Sequence, residues 1–166
     1  IVEELGHFTE DGYSTFGIGD RFREYISRGW VSFATPVLSN FGERKGLPIS
    51  CNFGKLDDSL DSILSGIHEI GMLAKNGAGT AKNFSNIRAI GEPITGGGKS
   101  EGIMPWIKLY AFAMSKITQG TTRRGFLTAY LSANHPEILS FIKIGGEGHE
   151  IQDITTAVTI PKGWMD

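Results

Sequence analysis

The residues best suited to chemistry in this chain lie around its single cysteine, Cys51. Thr35 and Ser50 offer hydroxyl groups on the N-terminal side of the thiol, and a glycine-rich turn, Gly77-Ala78-Gly79, follows one predicted helix later. A lone cysteine is most often a small buried apolar group, because free cysteine is among the most buried residue types. In company with hydroxyl groups and glycine backbone, the thiol suits a redox reaction on a small polyhydroxylated ligand.

Three arginines form a second candidate group. Arg88 lies near the start of a loop, and Arg123 and Arg124 lie in a polar run from Gln119 to Gly125. Such an arginine is most often a surface charge or the partner of a carboxylate. The alternative is a bidentate contact with a phosphate or a base edge, which suits the planar guanidinium. The spacing by itself leaves both interpretations open.

Two glycine-rich runs have the composition of nucleotide-binding loops without their spacing. In Gly96-Gly97-Gly98-Lys99-Ser100, the first glycine of a P-loop would fall on Pro93. In Gly77-Ala78-Gly79, the third glycine of a dinucleotide fingerprint would fall on Lys82. We therefore predict that these glycines serve positive φ angles or a close approach of the backbone to a ligand. The four histidines show no metal-ligand spacing, so the sequence predicts no metal site.

Composition and charge restrict the partners. The chain has 166 residues, a formal net charge of −2 and no dense basic run, which argues against a dedicated nucleic-acid-binding role. One cysteine cannot form an internal disulfide, and neither a secretory signal nor an apolar stretch of about 18 residues is present. These features predict a cytoplasmic protein without a membrane partner. Because the chain starts at Ile1 and stops just after a strand-like segment, we expect a fragment of a longer protein.

Hydrophobic spacing predicts alternating helices and short strands. The clearest helix has Asp58 or Ser59 as its N-cap and ends near Asn76-Gly77. Its predicted apolar face consists of Leu60, Ile63, Leu64, Ile67, Ile70 and Leu73. Pro36 biases Thr35 away from helical geometry, so residues 31–38 are predicted to be extended. Further helices are predicted at 20–28, 105–115 and 136–142, and strands at 49–53, 80–84, 126–131 and 157–160. This alternation indicates an α/β layer or an incomplete barrel of crossover units.

Taken in order, these motifs resemble the large catalytic (alpha) subunit of ribonucleotide reductase, closest to its class I forms. The likeness covers residues 17–161. Its blocks are Ala34-Thr35-Pro36, Ser50-Cys51, Asp58-Ser59-Leu60, Gly77-Ala78-Gly79 with Ser85-Asn86-Ile87-Arg88, Gly91-Glu92-Pro93-Ile94, Gln119 to Gly125, and Tyr130-Leu131 with His135-Pro136. The resemblance implies a partial ten-stranded α/β barrel, incomplete in this chain. Residues 1–166 would form a single segment from the N-terminal part of that barrel, with no ATP cone among them.

The resemblance implies a role for the thiol. Cys51 matches one of a cysteine pair that reduces the ribose and becomes a disulfide during turnover, which an external dithiol can reset. Thr35, Ser50 and the backbone of Gly77 match contacts with the substrate diphosphate and sugar. Arg123, like Gln119, matches a residue that relays the identity of the effector to the substrate base. No second cysteine is present, so the resemblance also implies that this chain is inactive alone.

The resemblance implies an allosteric site as well. Asp58, Ser59 and Leu60 match the site where a deoxynucleotide effector binds at the dimer interface, and Arg88 matches a contact with its phosphates. The segments 90–98 and 118–125 match two specificity loops, which would contribute Ile94, Thr95 and Gln119 and would act by loop ordering. Thr95 stands where many relatives have an arginine, and Lys99 is the candidate to replace that charge.

The implied enzyme is a ribonucleoside-diphosphate reductase that makes deoxyribonucleotides for DNA replication. Its expected partners are the C-terminal part of the large subunit, a second large subunit, a radical-generating small subunit that contains metal, and a thioredoxin- or glutaredoxin-like reductant. The expected substrate is a ribonucleoside diphosphate and the expected effectors are dNTPs or ATP, with no cofactor bound by this chain alone. Adenosylcobalamin, the radical source of class II, is the alternative. Two other functions stay open: a non-catalytic deoxynucleotide-binding regulatory module, and an inert remnant of a split gene.

Overall fold

The structure is a computed structural model that describes residues 18–42, 46–117 and 126–164. The chain divides between Ile49 and Ser50 into two units. The first unit contains α1 (Ile18–Ser27) and α2 (Thr35–Asn40). The second contains β1 (Cys51–Lys55), α3 (Leu60–Lys75), β2 (Gly79–Asn83), α4 (Met104–Ile117), β3 (Leu127–Ser132), α5 (Ile138–Phe141) and β4 (Thr155–Thr159).

In the first unit, α1 confirms the helix predicted at 20–28, but the extended conformation predicted through residue 38 is wrong from Thr35 onward. Thr35 begins α2, and Pro36 lies in its first turn. Proline is tolerated there because the amide it lacks would have no partner in a first turn, and its fixed φ suits a helix. The Ser39 hydroxyl donates to the Thr35 carbonyl at 2.9 Å, which closes this short helix.

The four strands form one parallel sheet in the order β1-β2-β3-β4. Parallel neighbours need crossover connections, and α3, α4 and α5 lie in the three connections. This confirms the α/β fold with an incomplete barrel. The strand predictions at 49–53, 80–84, 126–131 and 157–160 are confirmed as strands, with ends displaced by one or two residues.

The long helix α3 begins and ends where the sequence predicts. The Ser59 hydroxyl caps it by accepting from the Ser62 N–H at 3.2 Å. At its other end, Gly77 has a φ of +73° and donates its N–H to the Ala74 carbonyl at 2.9 Å, a conformation that favours glycine.

The predicted apolar face of α3 is only partly correct. Ile63 and Ile70 are buried, whereas Leu60 and Leu64 are 61% and 49% exposed. The remaining buried positions of the helix are Gly66, Gly71 and Ala74. Small residues face the core because neighbouring elements approach the helix closely there. A Cβ at Gly66 would collide with the Tyr110 hydroxyl and the Leu56 side chain.

Tyr110 is the central side chain of this packing. It lies on α4, is fully buried and donates its hydroxyl to the Ile63 carbonyl of α3 at 2.6 Å. Its ring meets Phe84 edge to face, with centroids 5.2 Å apart. Burial raises the pKa of Tyr110 far above its ordinary value, and the charge of Glu69 raises it further. The hydroxyl is therefore a permanent donor that ties the two long helices together.

A buried lysine joins the sheet to α3. Lys82 of β2 is 2% exposed, and its ammonium pairs with the carboxylate of Glu69 on α3. A Cβ at Gly54 of β1 would collide with the Lys82 ammonium. Glycine at position 54 therefore makes room for the charged group that links two strands to the helix.

The helices of the second unit cover one face of the sheet. Leu127, Ala129 and Leu131 point into the core from alternate positions of β3. On β1, the alternate positions Cys51, Phe53 and Lys55 are exposed, and Phe53 meets the Tyr130 ring edge to face at 5.4 Å. Within the second unit, α3, α4 and α5 contribute to the core on the first face and leave this second face uncovered. Among the described helices, none is long and apolar enough to cross a membrane.

We predict that Tyr110→Phe lowers the free energy of unfolding by about 1 to 2 kcal/mol, because the buried Ile63 carbonyl loses its side-chain donor. Tyr130→Phe is the matched control, since the Tyr130 hydroxyl has no hydrogen bond among the described residues, and we expect a change within about 0.5 kcal/mol. Urea unfolding of both variants measures the difference. Equal losses in the two variants would show that the Tyr110 hydroxyl has no special role.

Candidate functional site

The thiol lies at the N-terminal end of two neighbouring strands. Cys51 is the first residue of β1 and is exposed, and the Ser50 Oγ lies 3.5 Å from its Sγ. The parallel register places Gly79, the first residue of β2, opposite Cys51. The Gly79 N–H donates to the Ser50 carbonyl at 2.7 Å. Ser50, Cys51 and Gly79 thus form a thiol edge with an accessible sulfur.

Gly79 is a site residue that the sequence reasoning missed. Gly77 is the glycine that the sequence pattern indicated. It ends α3, and its N–H donates to the Ala74 carbonyl. A Cβ at Gly79 would lie 3.2 Å from the Ser50 carbonyl oxygen, so a larger residue would crowd the thiol edge. Strand pairing is the signal that finds it, because the second strand of a crossover unit starts beside the first. A substrate contact by the Gly77 backbone stays a prediction.

The other predicted substrate and relay residues belong to the first unit or fall outside the described residues. Thr35 is exposed at the start of α2 in the first unit. Gln119 and Arg123, with the predicted loop 118–125, lie outside the described residues. Their roles stay predictions.

All the other predicted effector residues line one open cleft of about 760 Å³. They are Asp58, Ser59, Leu60, Arg88, Ile94 and Thr95. Topology brings them together, because Asp58 follows β1 and Arg88 follows β2, and the carboxyl ends of parallel strands share one edge of a sheet. Lys99 and Trp106 also line this effector cleft, as we call it below.

An ion pair forms one wall of the effector cleft. The Arg88 Nε donates to the Asp58 Oδ2 at 2.7 Å, and the Arg88 backbone N–H donates to the Oδ1 at 3.2 Å. The Arg88 Nη1 also donates to the Pro93 carbonyl at 2.7 Å. Arg88 is therefore a carboxylate partner, one of the two interpretations that its position allowed. A carboxylate offers about four acceptor positions, so Asp58 can still accept from a hydroxyl group.

A hairpin of residues 91–102 forms another part of the effector cleft. The Gly91 N–H donates to the Ser100 carbonyl at 2.8 Å, and the Ser100 N–H donates to the Glu92 carbonyl at 2.7 Å. The three glycines at the tip, 96–98, have φ angles between +97° and +104°. This confirms that they serve positive φ angles. The run is a turn rather than a P-loop.

The charged side chains that line the effector cleft are balanced in number. Two cations, Arg88 and Lys99, and two acids, Asp58 and Glu101, line it. Arg88 is paired with Asp58, whereas Lys99 makes no hydrogen bond or ion pair with any residue that the structure describes. Lys99 is therefore the cation that is available to an anionic ligand. No group of three His, Cys, Asp or Glu side chains within residues 18–42, 46–117 and 126–164 is arranged to hold a metal ion.

Comparison with known proteins agrees with this geometry. The family model for the ribonucleotide reductase barrel domain matches residues 49–166. The large subunit of ribonucleoside-diphosphate reductase from Invertebrate iridescent virus 3 is 32% identical over 152 residues, which is 89% of this chain and 23% of that protein. The alpha subunit from Synechocystis is 32% identical over 150 residues, which is 87% of this chain and 20% of that protein.

A solved structure shares the fold. The class Id ribonucleotide reductase alpha subunit of Actinobacillus ureae matches with a TM-score of 0.83 and 32% identity, covering 99% of this chain and 29% of that one. The fold and these matches thus define an incomplete α/β barrel of the ribonucleotide reductase type. The chain belongs to the ribonucleotide reductase large-subunit family. It spans between 12% and 23% of the length of the curated relatives.

We predict that the native chain reacts with the aromatic disulfide DTNB through Cys51, because an exposed thiol is accessible to the reagent. The rate should lie within about tenfold of the rate in denaturant, where every thiol is exposed. Absorbance of the released thiolate measures both rates, and Cys51→Ser gives the background. A thiol that reacts only after denaturant is added would contradict the exposed position of Cys51.

Proposed function

We propose that this chain is part of a ribonucleoside-diphosphate reductase and that Cys51 is one of its two reducing thiols. The observation that carries the proposal is the exposed Cys51 sulfur, on the sheet face that α3, α4 and α5 leave uncovered and beside Ser50 and Gly79. A sulfur in that position is open to a substrate that approaches along this face. The family supports the same role.

The electron balance of the reaction requires a second thiol. Replacing the ribose 2′ hydroxyl with hydrogen releases water and consumes two electrons, which two thiols supply as they join in a disulfide. The chain has one cysteine, so the second thiol must come from polypeptide outside residues 1–166. A thioredoxin- or glutaredoxin-like dithiol then reduces the disulfide by exchange. A reducing compartment, the cytoplasm, suits this cycle.

The radical that starts the reaction comes from elsewhere in the proposed assembly. We assign it to a separate small subunit that contains metal, as in the class I enzymes. Adenosylcobalamin is the class II alternative. The residues of this chain contribute binding and reduction: Ser50 places a hydroxyl group beside the thiol, and the Gly79 N–H holds the Ser50 carbonyl at 2.7 Å.

We further propose that the effector cleft binds a deoxynucleoside triphosphate, in an assembly that contains two large subunits. The free acceptor positions of Asp58 suit a sugar hydroxyl, and Lys99 and the outer guanidinium N–H groups of Arg88 suit phosphates. Lys99 would replace the arginine that many relatives have at position 95. Ordering of the segment 118–125 would then carry the identity of the effector to the substrate.

The effector cleft also favours a second candidate function. Six of the residues predicted to bind an effector line it, whereas the redox pair needs a thiol from outside residues 1–166. These properties are expected of a regulatory module that binds a deoxynucleotide and catalyses no reaction. The two functions differ in whether the completed assembly turns over substrate.

We predict that Cys51→Ser abolishes multiple turnover of a ribonucleoside diphosphate, because a serine cannot form the disulfide that the reductant resets. The assay combines the chain with the rest of the large subunit, the small subunit and a dithiol, and follows deoxynucleotide formation. The wild-type chain in the same mixture is the positive control, and matching thermal unfolding curves verify that the variant folds. Steady turnover by Cys51→Ser would refute the role of Cys51. Nucleotide binding without turnover by the wild type would favour the regulatory module, and inactivity in both assays would favour the inert remnant.

We predict that the chain binds dTTP or dATP and that Lys99→Ala weakens the binding about tenfold, because a charge-assisted hydrogen bond to phosphate is lost. Isothermal titration calorimetry at low salt measures the affinity. Lys143→Ala is the matched control, since Lys143 is an exposed lysine outside the lining of the effector cleft. Equal affinities of the Lys99 and Lys143 variants would remove Lys99 from the site.

A further inference from the structure

A single buried carboxylate holds both ends of the hairpin at residues 91–102. Glu137 lies in the turn between β3 and α5 and is 8% exposed. Its Oε2 accepts from the Ile90 N–H and from the Ile103 N–H, each at 3.1 Å. Ile90 and Ile103 directly flank the hairpin. Glu137 therefore closes the neck of the segment that carries Ile94, Thr95 and Lys99 into the effector cleft.

His135 in turn fixes the position of Glu137. The His135 ring is buried, and its Nδ1 accepts from the Glu137 backbone N–H at 3.2 Å. Because Nδ1 accepts, a neutral ring carries its proton on Nε2, which lies 3.0 Å from the Ile87 carbonyl oxygen. The turn after β3 is thus attached to the residue that precedes Arg88.

The hairpin has the backbone geometry that this closure requires. Gly91 and Gly102, its first and last residues, have φ angles of +86° and +81°. A Cβ at Gly102 would collide with both carboxylate oxygens of Glu137. Only glycine therefore lets the carboxylate reach the two amides. A buried carboxylate is destabilising unless hydrogen-bond donors replace its water. The two amides therefore stabilise the Glu137 carboxylate in this position.

We propose that Glu137 is a positioning residue for the effector cleft. It fixes the separation of the two ends of the hairpin, and so it holds Lys99 and Thr95 in the cleft that the pair of Arg88 and Asp58 also lines. The tip, with its three glycines, can then adjust to a ligand without displacing the neck. The effect on nucleotide affinity rests on the proposed function of the cleft, whereas the closure of the neck does not.

The first test follows the hairpin itself by amide hydrogen exchange, with Glu137→Ala, Glu137→Gln and wild type. In Glu137→Ala we expect the amides of Ile90 and Ile103 to exchange at least about tenfold faster, because both lose their acceptor. The amides of α3 in the same variant serve as the internal reference. Glu137→Gln keeps a side-chain oxygen acceptor and should recover most of the protection. Unchanged exchange in Glu137→Ala would overturn the closure.

The second test measures dTTP affinity by calorimetry. We expect Glu137→Ala to bind about tenfold more weakly and Glu137→Gln to lose less than about threefold, because the amide oxygen of Gln retains the acceptor. Glu69→Gln is the matched control: it breaks the pair with Lys82 away from the hairpin, so it costs stability without affecting affinity.

The outcomes separate the two proposals. Faster exchange at Ile90 and Ile103 with no dTTP binding by the wild type would defeat the nucleotide site and leave the closure intact. Binding by the wild type with equal affinity in Glu137→Ala would overturn the positioning role. If Glu137→Ala does not fold, Glu137→Gln decides both tests. In that case Gly102→Ala is measured beside it, because its added Cβ would displace the Glu137 carboxylate. Exchange at Ile90 and Ile103 and a dTTP affinity that both equal those of wild type in Gly102→Ala would overturn the positioning role.

Discussion

The parallel register of the four strands is the constraint on which the rest of the structure depends. Because the strands run in the same direction, the segments that follow them meet at one edge of the sheet. That edge joins Asp58 to Arg88 across 30 positions of sequence, and Ile90 to Glu137 across 47. The opposite edge holds Cys51. The thiol edge and the effector cleft are therefore separated by the length of β1, five residues, or roughly 16 Å.

Local signals in the sequence were sufficient where the physical cause is local. The ends of α3 follow from a capping hydroxyl at Ser59 and from the positive φ of Gly77, which neighbouring backbone groups alone determine. The tip of the hairpin follows from three successive glycines in the same way. The grouping of the residues that line the cleft was also predictable, because the family resemblance selected residues that topology then brings together; their binding of an effector stays a prediction.

Features that depend on distant contacts were not predictable from patterns of residue type. Leu60 and Leu64 have apolar side chains at helical spacing, yet the helix buries glycines instead, because Tyr110 and Leu56 approach it too closely for larger side chains. Glu137 reads as one more surface acid, and its burial becomes visible only when Ile90 and Ile103 are placed in space. Pro36 predicted an extended segment where a helix forms. Proline disrupts the middle of a helix, but it is tolerated in the first turn.

The buried lysine of β2 restricts which residue can occupy one position of the neighbouring strand, β1. The gap between β1 and α3 is occupied by a charged group, and the middle of β1 has no side chain there because Gly54 faces the Lys82 ammonium. A methyl group at that point would have to displace the ammonium, the far end of a flexible side chain, from its pair with Glu69. Glycine at position 54 therefore preserves the pair that joins β2 to α3, three residues along the strand from Cys51.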